Sequence, residues 1–297
     1  MRSWRQSVWI GLACVLGAAG CSGDDTGSGD VVIEVAANQA IRQGFPHEEA
    51  GMELAFVDGW EFEVTAFLVA IEDVELRTAS ETGDGEVVAS MAEMVIVDLA
   101  SDETGSVEIG VIEDAPATRV DFGFSTARAT AAARVEGASS EDVQAMIDGG
   151  YMTFIRGVAT PEGGGAPIEI AVGSSVAATY TSCINGKDGT KGMAVENNTS
   201  TNVFIYPHLV HLFWDTLGAG DEDLRFAPWA AAAGDDNLVT NDDLETVDLT
   251  AVLGDDGVPL YDDSGLLDTY TLRAFVERGM AESMHFNGIG FCRKTLR

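Results

Sequence analysis

Short runs of β-branched and aromatic residues, separated by Gly, Asp, Ser or Pro, recur between residues 31 and 206 of this 297-residue chain. Such runs are typical of strands, and their close spacing is typical of antiparallel all-β folds. The runs lie at 31–36, 62–67, 71–76, 94–99, 107–112, 118–124, 151–159, 168–172, 177–182 and 201–206. The sequence therefore predicts a mainly β fold, with an antiparallel β-sandwich over residues 31–206.

Helical patterns are concentrated toward the C-terminus. Parts of 215–247 and most of 266–284 show apolar residues near the 3.6-residue period of a helix, and Ser264 precedes the second segment as a candidate cap. A single short helix is also expected near 139–146, capped by Ser139 or Ser140. We therefore expect 207–297 to form a small helical C-terminal subdomain.

The N-terminus has the features of an export signal. Arg2 and Arg5 precede an apolar run at 8–16, and three small residues at 18–20 stand directly before Cys21. This arrangement indicates a secretory signal that is too short to span a membrane. A cysteine just after the cleavage point indicates the bacterial lipoprotein kind of signal.

We therefore predict a signal peptide over 1–21, with cleavage before Cys21 and lipidation of its thiol. The Gly-, Ser-, Thr- and Asp-only segment 22–30 that follows is expected to be a flexible tether. Ser22 after the lipidated cysteine favours sorting to the outer membrane. The predicted location is the cell envelope, with the membrane contacted through the lipid anchor.

The charge balance is strongly acidic. The chain has 49 Asp and Glu residues against 16 Lys and Arg residues, a net charge of −33. A surface of this sign repels nucleic acid, so we exclude nucleic-acid partners. Adaptation to high salt explains such acid loading, and calcium binding spread over the surface is the alternative. The sequence indicates no protein partner.

Two cysteines remain outside the signal peptide, Cys183 and Cys292. In an exported chain an even pair predicts a disulfide. The alternative, two thiolates on a metal ion, is less favoured because neither cysteine lies in a CxxC motif. A disulfide here would join the middle of the chain to its last few residues.

Three of the four histidines lie in the C-terminal third: His208, His211 and His285. The two-residue gap between His208 and His211 separates them on a strand, but brings them together on a turn that enters a helix. Asp215 would share their face if a helix has begun there, and a disulfide at Cys292 would bring His285 back toward them.

Neutral imidazoles with a carboxylate suit Zn or Cu. The sequence therefore predicts a metal site of His208, His211 and His285, with Asp215 as a ligand or as a partner of a ligand. The alternative is that the histidines pack against neighbouring aromatic residues and bond to the backbone.

A second candidate site is the acidic loop 232–243. It aligns with the twelve-residue calcium loop through Asp236, Val239 and Asp243, with Asn237 in place of the turn glycine. Ala232 and Gly234 stand at the first and third places and offer no side-chain ligand. The interpretation is a calcium-loop shape in which Asp235, Asp236 and Asp243 hold Ca²⁺ weakly.

Five segments occur in an order that resembles a group of lipoproteins of myxobacteria and related species. They are Val57-Asp58-Gly59-Trp60, the stretch 208–215, Leu224-Arg225-Phe226, the acidic loop, and His285-Phe286-Asn287-Gly288. The resemblance implies a β-rich body with an EF-hand-like loop near the C-terminus. That loop is degenerate here, and the group has no settled activity to carry over.

Motifs of common enzyme classes are missing from the sequence. It contains no GxSxG, no P-loop and no GxGxxG after a strand. The sequence therefore favours a non-enzymatic, lipid-anchored envelope protein that binds a metal ion. The alternative hypothesis is a structural or adhesive surface module with a weak response to calcium.

Overall fold

The computed structural model describes residues 27–49, 51–80, 83–101, 104–218 and 222–297, and these form a mainly β protein. The predicted signal peptide 1–21 and its Cys21 lie outside the described residues. The strands are Ser28–Ala36 (β1), His47–Glu49 (β2), Met52–Leu54 (β3), Trp60–Thr78 (β4), Val87–Met91 (β5), Val95–Asp98 (β6), Ser106–Pro116 (β7), Arg119–Thr126 (β8), Arg134–Glu136 (β9), Thr153–Pro161 (β10), Ile168–Ser174 (β11), Ala178–Thr181 (β12), Met193–Ala194 (β13), Ser200–Pro207 (β14), Leu238–Thr240 (β15), Met284–Phe286 (β16) and Arg293–Leu296 (β17).

The helices are short and lie between these strands. They are Gln39–Gln43 (α1), Ser140–Gly149 (α2), Ala227–Ala232 (α3), Asn241–Glu245 (α4) and Leu272–Glu282 (α5), with 3₁₀ turns at Leu209–Leu212 and Leu249–Ala251. The helix expected near 139–146 is confirmed as α2, and Ser139 is its N-cap. No helix in the described ranges is long and apolar enough to cross a membrane.

Two large open sheets and one small one organise the strands. The smaller of the two has four strands in the order β16-β14-β1-β7, and the larger follows the path β15-β11-β10-β4-β8-β12-β17. β1 runs parallel to β14, and β15 runs parallel to β11, while most other pairs are antiparallel. The mainly β prediction is confirmed, but the sheets are mixed and the antiparallel sandwich is not confirmed.

The two strands expected at 62–67 and 71–76 are one strand, β4, of 19 residues. Its middle residues, 66–71, are buried on both faces. Phe67, Val69 and Ile71 join the main apolar core, whereas the alternate side chains pack in a second cluster under α2. A segment buried on both faces does not alternate apolar and polar residues. For this reason the sequence pattern predicted two strands where the structure has one.

The C-terminal segment is less helical than expected. The helix predicted over 266–284 is α5, which begins only at Leu272 and is capped by Thr271 rather than Ser264. Strands β15, β16 and β17 join β11, β14 and β12 respectively. Residues 207–297 therefore contribute to both large sheets, and the main apolar core continues into them. The N-terminal end of β1 likewise takes in residues 28–30 of the predicted tether.

The disulfide between Cys183 and Cys292 is confirmed. It holds the turn after β16 next to residues 184–186. There the Ile184 amide donates a hydrogen bond to the Phe291 carbonyl over 2.8 Å. Glycine is required at 186, because a Cβ there would lie 2.6 Å from the Asn287 carbonyl oxygen. The chain segments on either side of the disulfide are thus held in close backbone contact, immediately beyond the strand that carries His285.

Candidate metal centre

His208 caps one turn of 3₁₀ helix, and His211 lies within it. β14 ends at Pro207, and His208 is the N-cap of the turn Leu209–Leu212. Leu209 and Leu212 are buried and anchor the turn in the core. Because side chains three residues apart eclipse in a 3₁₀ helix, the turn places both imidazoles on one side. The structure therefore has the turn geometry that brings the pair together.

His285 reaches the same place from strand β16. Its neighbours Met284 and Phe286 are buried, so the imidazole lies on the opposite face of the strand. β16 is antiparallel to β14, with His285 opposite Tyr206. The His208 amide also donates to the Ser283 carbonyl over 2.9 Å, which fixes the end of β14 beside the start of β16.

The three imidazoles form a compact cluster. The ring centroid of His285 lies 4.4 Å from that of His208 and 5.3 Å from that of His211, and the remaining centroid distance is 6.1 Å. One nitrogen from each ring can be chosen so that all three lie within 4.8 Å of one another. Three such atoms lie within about 2.8 Å (4.8/√3) of a common point, against about 2.0–2.1 Å for a Zn–N bond. Shifts of under about 1 Å in each ring would bring them to bonding distance.

Burial keeps the rings in the neutral form that metal binding requires. It lowers the pKa of His208 to about 4, and the neighbouring His285 adds to this effect. Burial also lowers the pKa of His285, and it holds the pKa of His211 well below its usual range. The Nε2 of His208 and both ring nitrogens of His285 are buried and form no hydrogen bond of good geometry, while the backbone at Gly288, Ile289 and Gly290 lies close enough to raise the pKa values slightly against the effect of burial. A neutral imidazole offers the lone pair of one ring nitrogen, so each ring of the cluster can supply one metal ligand.

The lowered pKa of His208 makes the metal-free protein sensitive to acid. The unfolded chain protonates His208 near pH 6.5, whereas the folded protein does so only near pH 4. The stability that the neutral His208 ring contributes is therefore fully present above pH 6.5 and is lost as the pH falls toward 4. We measure the free energy of unfolding with urea in the presence of EDTA. Between neutral pH and pH 4.5, it should fall by roughly 2–3 kcal/mol more in the wild type than in His208→Gln. Equal losses in both proteins would contradict this assignment.

Asp215 does not belong to the cluster. Its carboxylate accepts the Asp223 amide at 3.1 Å and Nε of Arg225 at 2.8 Å. The helical turn stops at Leu212, and the chain then extends to bridge Trp214 with Leu224. The four-residue spacing that would have placed Asp215 on the histidine face therefore does not apply. Its role in the structure is to close the loop between residues 215 and 225.

The acids of the candidate calcium loop have local structural partners. Asp243 accepts hydrogen bonds from the Thr240 amide and hydroxyl, as the capping box of α4. Asp236 accepts the Leu238 amide at 3.2 Å, and Asn237 adopts the positive φ (55°) expected at the turn-glycine place. Among the described residues, Asp235, Asp236 and Asp243 do not gather as the three histidines do.

The segments at 57–60 and 224–226 also meet in the fold. The Asp58 carboxylate accepts the amides of Phe226 and Ala227 at the start of α3, over 2.9 and 2.7 Å. The Val57 amide donates to the Leu224 carbonyl over 3.0 Å. These hydrogen bonds therefore join the segment before β4 to the start of α3, and they do not involve the histidine cluster.

Sequence reasoning anticipated aromatic packing around the cluster but missed its charged neighbours. The Trp214 ring lies over His211, with ring centroids 4.0 Å apart. Lys294 is largely buried and forms an ion pair with Glu282, which also binds Arg278 at 2.8 Å. Lys294 follows Cys292 by two residues, so the predicted disulfide was the one signal that placed it near the site.

No family model matches the chain, and no curated protein or solved structure is significantly similar to it. The function is therefore inferred from the chemistry of the histidine cluster.

Proposed function

We propose that the protein binds one divalent transition-metal ion, Zn²⁺ or Cu²⁺, through His208, His211 and His285. The observation that carries the proposal is the convergence of three ring nitrogens within 4.8 Å of one another. Two chain segments far apart in sequence bring them together, and the rings are held neutral by burial. Imidazole ligands of this number suit Zn and Cu.

The unpaired nitrogens add an energetic argument. A buried polar group without a partner costs about 1–3 kcal/mol, and at His208 and His285 such groups face their neighbours rather than solvent. A metal ion would accept the lone pair of one nitrogen on each ring and so remove much of this cost. The alternative, in which the histidines pack against aromatic residues and bond to the backbone, is supported by Trp214 on His211 and by the backbone at Gly288, Ile289 and Gly290. Metal analysis distinguishes the two.

We further propose that the protein acts at the cell envelope, anchored by lipid on Cys21. The signal-like features of residues 1–21 support this, and so does the Cys183–Cys292 disulfide, because such bonds persist outside the cytoplasm. The role would be metal capture or a metal-stabilised surface, without catalysis. The sequence supplies no motif of an enzyme class that would argue otherwise.

Elemental analysis of the purified protein, after loading with Zn²⁺ and dialysis, tests the proposal. The wild type should retain about one zinc per chain, and the His208→Ala/His211→Ala variant should retain none. The fourth histidine provides a matched control. His47 lies on β2, outside the cluster, and its ring hydrogen-bonds to the Gly44 carbonyl over 2.7 Å. The His47→Gln variant should therefore retain about as much zinc per chain as the wild type. A wild type without stoichiometric zinc or copper would end the proposal.

A further inference from the structure

The candidate metal centre supplies three ligands and no charge. Metal-bound histidines are neutral, and among the described residues no carboxylate or thiolate joins the group. Asp215 is the closest acid in sequence to His211, and its carboxylate forms an ion pair with Arg225 at 2.8 Å. A zinc ion bound here would therefore keep its full positive charge and lack the fourth ligand of its usual tetrahedron.

The charged side chains beside the cluster include both signs. Glu282 lies between two cations, Arg278 at 2.8 Å and the ion-paired Lys294. The Lys294 side chain is only 13% exposed, so solvent screens its charge weakly. After burial and the two other histidines, Lys294 is the charge that lowers the pKa of His211. At His285, Glu282 raises the pKa and outweighs the opposite effect of Lys294, so the ammonium acts mainly on the His211 side of the cluster.

We infer that a metal ion on His208, His211 and His285 takes a small free monoanion, of the carboxylate or azide class, as its fourth ligand. This inference rests on the proposed function. The anion would complete the coordination and offset the charge of the ion, and the Lys294 ammonium would add attraction.

Cobalt(II) provides the test, because its visible absorption reports both metal binding and the identity of the fourth ligand. The protein is titrated with cobalt(II) perchlorate, whose anion coordinates poorly, and then with sodium azide or sodium acetate. We expect intense bands typical of four-coordinate cobalt, which change in position and intensity as the anion is added. Half of the change should occur at roughly 10 mM anion or below.

Lys294→Gln separates an electrostatic role from a structural one. Removing the ammonium should strengthen cobalt binding and weaken azide binding, each by about threefold to tenfold. A merely damaged fold would weaken both. Lys191→Gln is the matched control, since Lys191 pairs with Asp121 at 2.8 Å, is 30% exposed and does not contact the cluster. It should change neither affinity.

The outcomes are distinguishable. If the wild type shows no cobalt bands, the proposed function itself fails. If the bands appear but remain unchanged up to about 100 mM azide and acetate, metal binding stands and the anion inference is overturned. If Lys294→Gln weakens both affinities, the Lys294 ammonium does not act as inferred.

Discussion

Replacing both Cys183 and Cys292 with alanine is expected to lower the free energy of unfolding by about 4–5 kcal/mol. The disulfide joins residues 109 apart, and the loss of chain entropy that it imposes on the unfolded state grows with the length of the closed loop. Urea unfolding of the wild type and the double variant, both without metal, measures the difference. Such a loss is a large part of the stability of a typical domain.

Wild-type protein treated with a reductant is the control for this experiment, because it breaks the same bond without changing a side chain. It should unfold at nearly the same urea concentration as the double variant. A difference below about 1 kcal/mol between oxidised and reduced protein would show that the packing of 286–291 on 184–186 suffices without the covalent bond.

Zinc should stabilise the wild type by about 4 kcal/mol when its free concentration is a thousandfold above the dissociation constant. The folded protein presents the three histidines together, whereas the unfolded chain does not, so the ion binds the folded state selectively. Thermal unfolding with and without Zn²⁺ measures the shift in Tm. Because Cu²⁺ quenches indole fluorescence and Trp214 lies over His211, fluorescence provides a second reading of occupancy.

His285→Ala should abolish the zinc-dependent shift, whereas His47→Gln should preserve it. This pair separates the cluster from nonspecific binding to an acidic surface, since both variants keep the same 49 acidic residues. A shift of Tm with calcium that survives the histidine changes would support a calcium-responsive surface module instead. Equal zinc shifts in wild type and His285→Ala would contradict the site.

The sequence predicted the disulfide and the three histidines because their signals are compositional. Two cysteines outside the predicted signal peptide leave a single pairing, and few histidines leave few combinations. The Cys183–Cys292 bond then constrains where His285 can lie. These inferences did not depend on the type of secondary structure, so the errors made in the C-terminal segment did not affect them.

Asp215 does not join the clustered ligand atoms, and the reason is the opposite one. Its assignment required a helix to continue past His211, but the turn ends at Leu212 and the chain extends to pair with Leu224. Residues 284–286 gave no strand signal either, since three residues are too few for a period. Their pairing with β14 is set by tertiary contacts, and these cannot be inferred from a local window.

The Cys183–Cys292 bond also changes the polymer statistics of the chain before it folds. Along the backbone, His208 and His285 are 77 residues apart (285 − 208). Through the bond, His208 is 25 residues from Cys183 (208 − 183), and His285 is 7 residues from Cys292 (292 − 285). A contour of about 32 residues replaces one of 77, which lowers the entropy cost of their encounter by about 0.8 kcal/mol. Oxidation of the unfolded chain thus favours the meeting of these two imidazoles before any strand has paired.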